Sequence, residues 1–288
     1  MGKIYKGLIF GGQFSLALIE STDIVNKAIS IHDLTPITAA ALGRTLTITA
    51  FMGTQLKNEG ESLSITINGD GKGGRIITSV DHALHVRGVI DHPDVDVVLN
   101  SKGKLDVPVV VGKTGSLTVV KNLGMKEPYV GKSRLVTGEI AEDFTAYFAL
   151  SEQQPTAMAL GVLMGKNGKC SGAGGIVLQT MPNCTEEAIA EAEKLITKFS
   201  DISMQIANHG IDGILDEYFP DLFYSISEPV YKCKCNKRYI DKVLLTLGEK
   251  ELDSTIADLG KIEVDCEFCK KKYVYYKEDV DKLLRRKI

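Results

Sequence analysis

Alternating or β-branched apolar runs at Leu63 to Ile67, Ile76 to Val80, Leu84 to Ile90, Ser116 to Lys121 and Ile176 to Thr180 predict strands. Glycine-rich turns separate them. Thr35 places a capping hydroxyl before Pro36 at a first helical position, and the mostly apolar run from Ile37 to Leu56 predicts a long helix. A second helix is expected from Ala141 to about Gln153, with Glu142 and Asp143 in its first turn, at the positive end of its dipole.

The pattern changes at Cys184. Thr185, Glu186 and Glu187 precede Ile189, Ala192, Leu195 and Ile196, which recur at helical spacing and predict an amphipathic helix. Two short apolar and acidic pieces follow, Ile211 to Phe219 and Leu222 to Ile226, and helices of that length are marginal unless docked on something larger. With Phe199 they carry five aromatics, Tyr218, Phe219, Phe223 and Tyr224 being the others. Such a segment is expected to fold or release at modest cost.

Charge divides the chain the same way. Residues 1–183 carry 17 Lys+Arg against 16 Asp+Glu, residues 184–230 carry 2 against 10, and residues 231–288 carry 15 against 11, which is net +1, -8 and +4 and sums to -3. The expected partition is a core at 1–183, an acidic helical linker at 184–230 and a basic tail at 231–288. A length of 288 residues suits about two domains, and 44% hydrophobic residues can bury a substantial core. A nearly balanced charge argues against a surface built as a whole for nucleic acid or an anionic membrane. The apolar stretch from Ala157 to Met164 is far short of the ~20 residues that span a bilayer. The N-terminal residues Met1 to Phe14 contain no continuous apolar core of a secretion signal, so the chain reads as cytoplasmic.

Several motifs carry no chemistry. Gly69 to Gly74 matches G-x-G-x-x-G, but the strand-like Arg75 to Val80 follows where a dinucleotide fold needs a helix, so a hairpin turn is expected. Gly112-Lys113-Thr114 and Gly131-Lys132-Ser133 lack the upstream glycine of a phosphate loop, Val107 and Lys126 standing there instead. The histidines show no metal-type pairing, and Gly172 to Gly175 reads as close backbone packing. No catalytic constellation assembles, and the chain does not read as an enzyme.

Six cysteines are too few for a disulfide scaffold in a chain this long, so their positions decide. Cys170 and Cys184 read as small structural residues. Cys233 and Cys235, then Cys266 and Cys269, form two close pairs across a domain-sized loop, the arrangement of a four-thiolate Zn²⁺ site. The first pair has one spacer instead of the usual two; in an extended segment residues i and i+2 point to the same side, so both sulfurs reach one metal. A disulfide across one spacer is strained and therefore labile. Lys232, Lys234, Lys237 and Lys270 to Lys272 favour thiolates. A tail this small needs its metal to fold, so oxidation is expected to unfold it and to bare the linker aromatics. Two other readings stay open: a zinc-ribbon nucleic-acid binder using Tyr239, Phe268, Tyr273, Tyr275 and Tyr276, and a thiol oxidoreductase using Cys266 and Cys269.

These cysteines, with Ala40-Ala41-Leu42-Gly43-Arg44-Thr45, Gly103-Lys104-Leu105-Asp106-Val107, Lys121-Asn122-Leu123-Gly124, Ser151-Glu152-Gln153 and Gly174-Gly175 before Gln179-Thr180-Met181-Pro182, make the chain resemble the bacterial heat-shock protein 33 family over nearly its whole length. These are redox-regulated holdase chaperones. The resemblance implies an α+β fold: a mixed α/β core with a large β-sheet, a helical linker lying over it, and a small C-terminal four-cysteine zinc domain. It further implies an inactive, zinc-bound reduced form with one Zn²⁺ per chain on Cys233, Cys235, Cys266 and Cys269. On oxidative stress zinc would leave, disulfides would join Cys233 to Cys235 and Cys266 to Cys269, and the linker would unfold. The protein would then dimerise and hold unfolding clients without ATP, with neither nucleic acid nor membrane as a partner.

Overall fold

The structure, a computed structural model, describes residues 1–285 and divides into two compact units, Met1–Lys232 and Cys233–Ile288. The first opens with a hairpin, β1 (Lys3–Ile9) and β2 (Phe14–Glu20), then α1 (Thr22–His32) and the long α2 (Pro36–Gly53). An antiparallel meander follows: β3 (Ser62–Gly69), β4 (Ile76–Asp81) and β5 (His85–Ile90). After α3 (Val107–Val111) come β6 (Gly115–Asn122), β7 (Tyr129–Arg134), α4 (Ile140–Ser151), and the paired β8 (Thr156–Met164) and β9 (Cys170–Thr180). The acidic segment supplies α5 (Glu186–Thr197), α6 (Ile202–Tyr218), β10 (Tyr224–Ser227) and β11 (Val230–Tyr231).

The large sheet of the expected fold is two sheets, ordered β10-β1-β2-β9-β8 and β11-β5-β4-β3-β6-β7. Helix α2 packs on strands of both, which is why every residue in it except Pro36 and Arg44 is buried. Its threonines are accommodated because Thr45, Thr47 and Thr49 donate to the carbonyls of Ala41, Gly43 and Thr45 one turn back. Thr35 differs from expectation: its hydroxyl donates to the Val95 carbonyl at 2.8 Å, lies 3.0 Å from the Thr38 hydroxyl, and accepts no helix N–H. Asp143 is fully buried and accepts the backbone N–H groups of Val136 and Thr137, so it ties the preceding loop to α4 instead of serving the dipole from solvent.

The first sheet is apolar on both faces. Along β2, Ala17 and Ile19 enter the core around α2, while Phe14, Leu16 and Leu18 enter a second core beneath α5 and α6. The acidic segment is thus a lid on one face of this sheet. Helix α5 is capped by Thr185, whose hydroxyl accepts from the Ala188 N–H. Helix α6 starts well before the expected Ile211 and kinks at Gly210, whose φ of 67° and ψ of 170° break the helical path. The piece read as a second short helix is strand β10. Phe199 and Phe219 are buried, but Phe223 is 98% exposed and Tyr224 46%, so two of the five aromatics are already at the surface.

Close approach of lid and sheet depends on glycine. A Cβ on Gly172 would lie 2.3 Å from the Ser203 carbonyl oxygen of α6, and one on Gly161 would lie 2.8 Å from the Ser203 side chain. The G-x-G-x-x-G run is the β3–β4 turn, and the Gly71, Lys72 and Gly73 amides are spent on the carbonyls of Val111, Val109 and Val110, which leaves none of these three for an anion. Gly172→Val is expected to push α6 off β9 at a cost of about 1–3 kcal/mol. Hydrogen exchange should then speed up in α6 and not in the β3–β4 hairpin; equal protection of α6 in both proteins would show that the close approach is not needed.

Candidate metal centre

The second unit is small. After Cys233 and Cys235 come α7 (Lys237–Leu245), α8 (Glu249–Leu259), the hairpin β12 (Ile262–Asp265) and β13 (Lys272–Tyr275), and α9 (Lys277–Arg285). Its core is Ile240, Leu244, Leu252, Ile262, Tyr273, Tyr275, Val280 and Leu283. Among the described residues these eight buried side chains are a thin basis for independent folding.

Two local structures present the sulfurs. Cys233 and Cys235 lie in the stretch before α7, where the Asn236 side chain accepts the Tyr239 N–H at 2.9 Å and fixes the start of the helix. Cys266 and Cys269 sit at the tip of the β12–β13 hairpin. The Cys266 carbonyl accepts from Cys269 N–H (3.3 Å) and Lys270 N–H (2.7 Å), and Cys266 N–H donates back to the Lys271 carbonyl (3.0 Å). Lys270 closes this turn at φ 55°, in the left-handed region that favours glycine.

All four Sγ atoms lie within 4.8 Å of one another, with 3.7 Å between Cys233 and Cys266 and 3.2 Å between Cys235 and Cys269. A tetrahedron with metal–sulfur bonds of about 2.3 Å has edges of about 3.8 Å. The cluster therefore fits a four-thiolate metal ion in both size and donor set. The single-spacer pair delivers both of its sulfurs, as extended geometry suggested. Cys170 and Cys184 are not part of the cluster: Cys170 is buried, and desolvation pushes its thiol up to about 11.

Hydrogen bonding distinguishes the four thiols. Burial raises the Cys235 thiol, but donors led by the Tyr273 hydroxyl at 3.3 Å outweigh it and bring it down to about 7. Burial together with the Cys235 sulfur pushes Cys269 up. The lysines expected to favour thiolates have other engagements: Lys237 Nζ lies 3.9 Å from the centre of the Tyr275 ring, Lys271 Nζ lies 5.3 Å from that of Tyr273, and Lys272 faces Asp265. Tyr273, which no spacing argument singled out as a partner of Cys235, is the polar neighbour that sequence reasoning missed. Its placement opposite Val264 in the β12–β13 register is what brings it there. Tyr273 and Tyr275 are core residues, so two of the five aromatics considered for base stacking offer no free face.

Comparison with known proteins shows the family. The family model described as Hsp33 protein matches residues 2–276. A 33 kDa chaperonin of Clostridium botulinum (strain Eklund 17B / Type B) is 42% identical over 272 residues, covering 93% of this chain and 92% of the relative. One from Alkaliphilus oremlandii is 39% identical over 285 residues, covering 97% and 95%. The crystal structure of the 33 kDa chaperonin, a heat shock protein 33 homolog, from Thermotoga maritima superposes with a TM-score of 0.87 at 34% identity, covering 99% of this chain and 98% of that one. A two-sheet core unit followed along the chain by a four-cysteine unit, matched over nearly the whole length by these chaperonins, places this protein in the Hsp33 family of chaperones.

Proposed function

We propose that this chain is a thiol-switched, ATP-independent holdase, with Cys233, Cys235, Cys266 and Cys269 as the ligands of one Zn²⁺ in its reduced, inactive form. The observation that carries the reading is the convergence of those four sulfurs in a unit whose core, among the described residues, has eight buried side chains. Bound there, Zn²⁺ would keep the sulfurs as thiolates and tie the two ends of the tail together. Among the described residues no helix is long and apolar enough to cross a membrane, and the proposed setting is the cytoplasm.

Each oxidation step removes two ligands. Two thiolates give two electrons to hydrogen peroxide, one S–S bond forms, the O–O bond breaks, and with two protons the oxygens leave as two waters. The 3.7 and 3.2 Å S···S separations run across the two pairs, yet the proposed disulfides are Cys233 with Cys235 and Cys266 with Cys269. Residues two and three positions apart stay close when the tail unfolds, whereas cross-pairs need the fold. With the tail unfolded, the linker loses the ordered segment it runs into, and the apolar face beneath α5 and α6 becomes available to unfolding proteins. The oxidised form is proposed to be a homodimer. The nucleic-acid reading has no observation in its favour.

Light scattering of a thermally unfolding client tests the switch. Protein oxidised by peroxide with mild heating, or by hypochlorous acid, is expected to suppress aggregation, and reduced zinc-loaded protein is not; equal suppression would refute it. Leu252, 1% exposed in the tail core, tests the coupling of metal to fold. Leu252→Ala should cost about 2–5 kcal/mol of tail stability. The same free energy is lost from Zn²⁺ affinity, about 30-fold or more, in competition with a chromophoric chelator. Unchanged affinity would mean the four sulfurs are organised without the tail core.

A further inference from the structure

The acidic segment covers more than an apolar face. Its last two strands close one edge of each sheet: β10 pairs with β1 in the first, and β11 pairs in parallel with β5 in the second. Removing residues 224–231 would therefore leave two open strand edges, each a row of unpaired main-chain groups.

The donors on the first edge can be named. Gly2 gives its N–H to the Pro229 carbonyl at 3.1 Å, and by the two-residue period of a strand Ile4 and Lys6 face the same side, opposite Ser227 and Ser225. Across β2, Ser21 N–H donates to the Ala173 carbonyl at 2.8 Å. That parity turns even-numbered β2 residues, and with them Tyr5 and Gly7, toward the β1–β2 ladder. On the second edge the Leu84 and Val86 carbonyls accept from Val230 and Lys232 at 3.0 and 2.9 Å.

What now sits on the β1 edge shows what it demands. Strand β10 is only Tyr-Ser-Ile-Ser, with Tyr224 46% and Ile226 54% exposed, so it is held mainly by its backbone and buries little. Recognition of this kind is indifferent to sequence.

We propose that, once the linker is released, the β1 edge takes an extended segment of an unfolding client as an added strand, its main chain pairing with Ile4 and Lys6 while its side chains rest on the adjoining face of Tyr5, Leu16, Leu18 and Ile176. This rests on the switch proposed above and names how the client is held. A second copy of this chain suits the edge less well, because antiparallel self-pairing of β1 through its even-numbered residues would set Lys6 of one copy opposite or diagonal to Lys6 of the other, or Lys3 to Lys3. An unfolding client brings no such fixed charge.

Residue-resolved hydrogen exchange on the full-length protein, with heat-unfolded citrate synthase as the client, tests the proposal. The Ile4 and Lys6 amides should be protected in reduced protein, exchange ~100-fold faster after oxidation, and regain protection when client is bound, while Tyr5 and Gly7 stay protected throughout. Client held, as shown by suppressed light scattering, with Ile4 and Lys6 still exchanging fast would overturn the strand-addition proposal and leave the switch intact. Renewed protection of Ile4 and Lys6 in oxidised protein before client is added, as a second copy on the edge would produce, would also overturn it. Absence of suppression by oxidised protein would remove the switch itself, and the proposal with it.

Discussion

Four thiols held within 4.8 Å of one another in a small unit are the constraint on which the rest depends. Brought together without a metal, they crowd polarisable, titratable groups that gain little from packing; as ligands of one ion they become the staple of the unit. The tail supplies what such a centre needs. Asn236 fixes the helix after the first pair, the Cys266 carbonyl closes the turn around the second, and Tyr273 donates to Cys235 from the neighbouring strand. Among the described residues its core has eight side chains, a thin basis for holding these groups without such a staple. A fold that rests on its ligands is open to chemistry that consumes those ligands.

In the proposed switch the acidic segment responds to that loss. It docks through α6 on glycines of β8 and β9, through the Asp212 carboxylate, which accepts from Tyr5 and from Lys3 on β1, and through the two edge strands. The hydrogen bonds to Asp212 hold its carboxyl below the usual range, so this latch is made of an ionised group near the surface, where ion pairs contribute little. Its firmest anchor is the last one: the Tyr231 hydroxyl donates to the Gly88 carbonyl at 3.0 Å and meets His32 in the core, two residues before Cys233. Against these modest polar ties, Phe199, Ile202, Ile206, Ile211, Ile214 and Leu215 are buried on the sheet, so release of the segment uncovers a large apolar surface and needs mild heating as well as loss of the ordered tail.

Much of this was legible in the sequence because local chemistry enforces it. The meander from Leu63 to Ile90 shows period-two burial, α5 shows helical spacing, and the paired cysteines place the site in one region. What was not legible depended on partners distant in the chain. β1 and β2 are buried on both faces, so they lack the alternation that marks a half-exposed strand. β10 is a strand only because β1 offers an edge more than 200 residues earlier, and its short apolar and acidic surroundings read as helical. Phe223 reads as sheltered apolar surface yet stands exposed just before β10, and Tyr273 meets Cys235 only once β12 and β13 set their register. Membership of the family was carried by motifs with structural roles of this kind: Arg44 bridges to Glu139, and Lys121 to Glu152.

The central claim is that loss of the thiolate ligands and exposure of the apolar lid face are one event. The most direct measurement follows released zinc, free thiols and the fluorescence of an apolar-surface dye together in one sample during oxidation with mild heating. The account expects zinc and the four thiols to disappear in parallel, with dye fluorescence rising along with them or just after. Dye binding that rises while the metal is still held, or that stays flat after metal and thiols are gone, would contradict it.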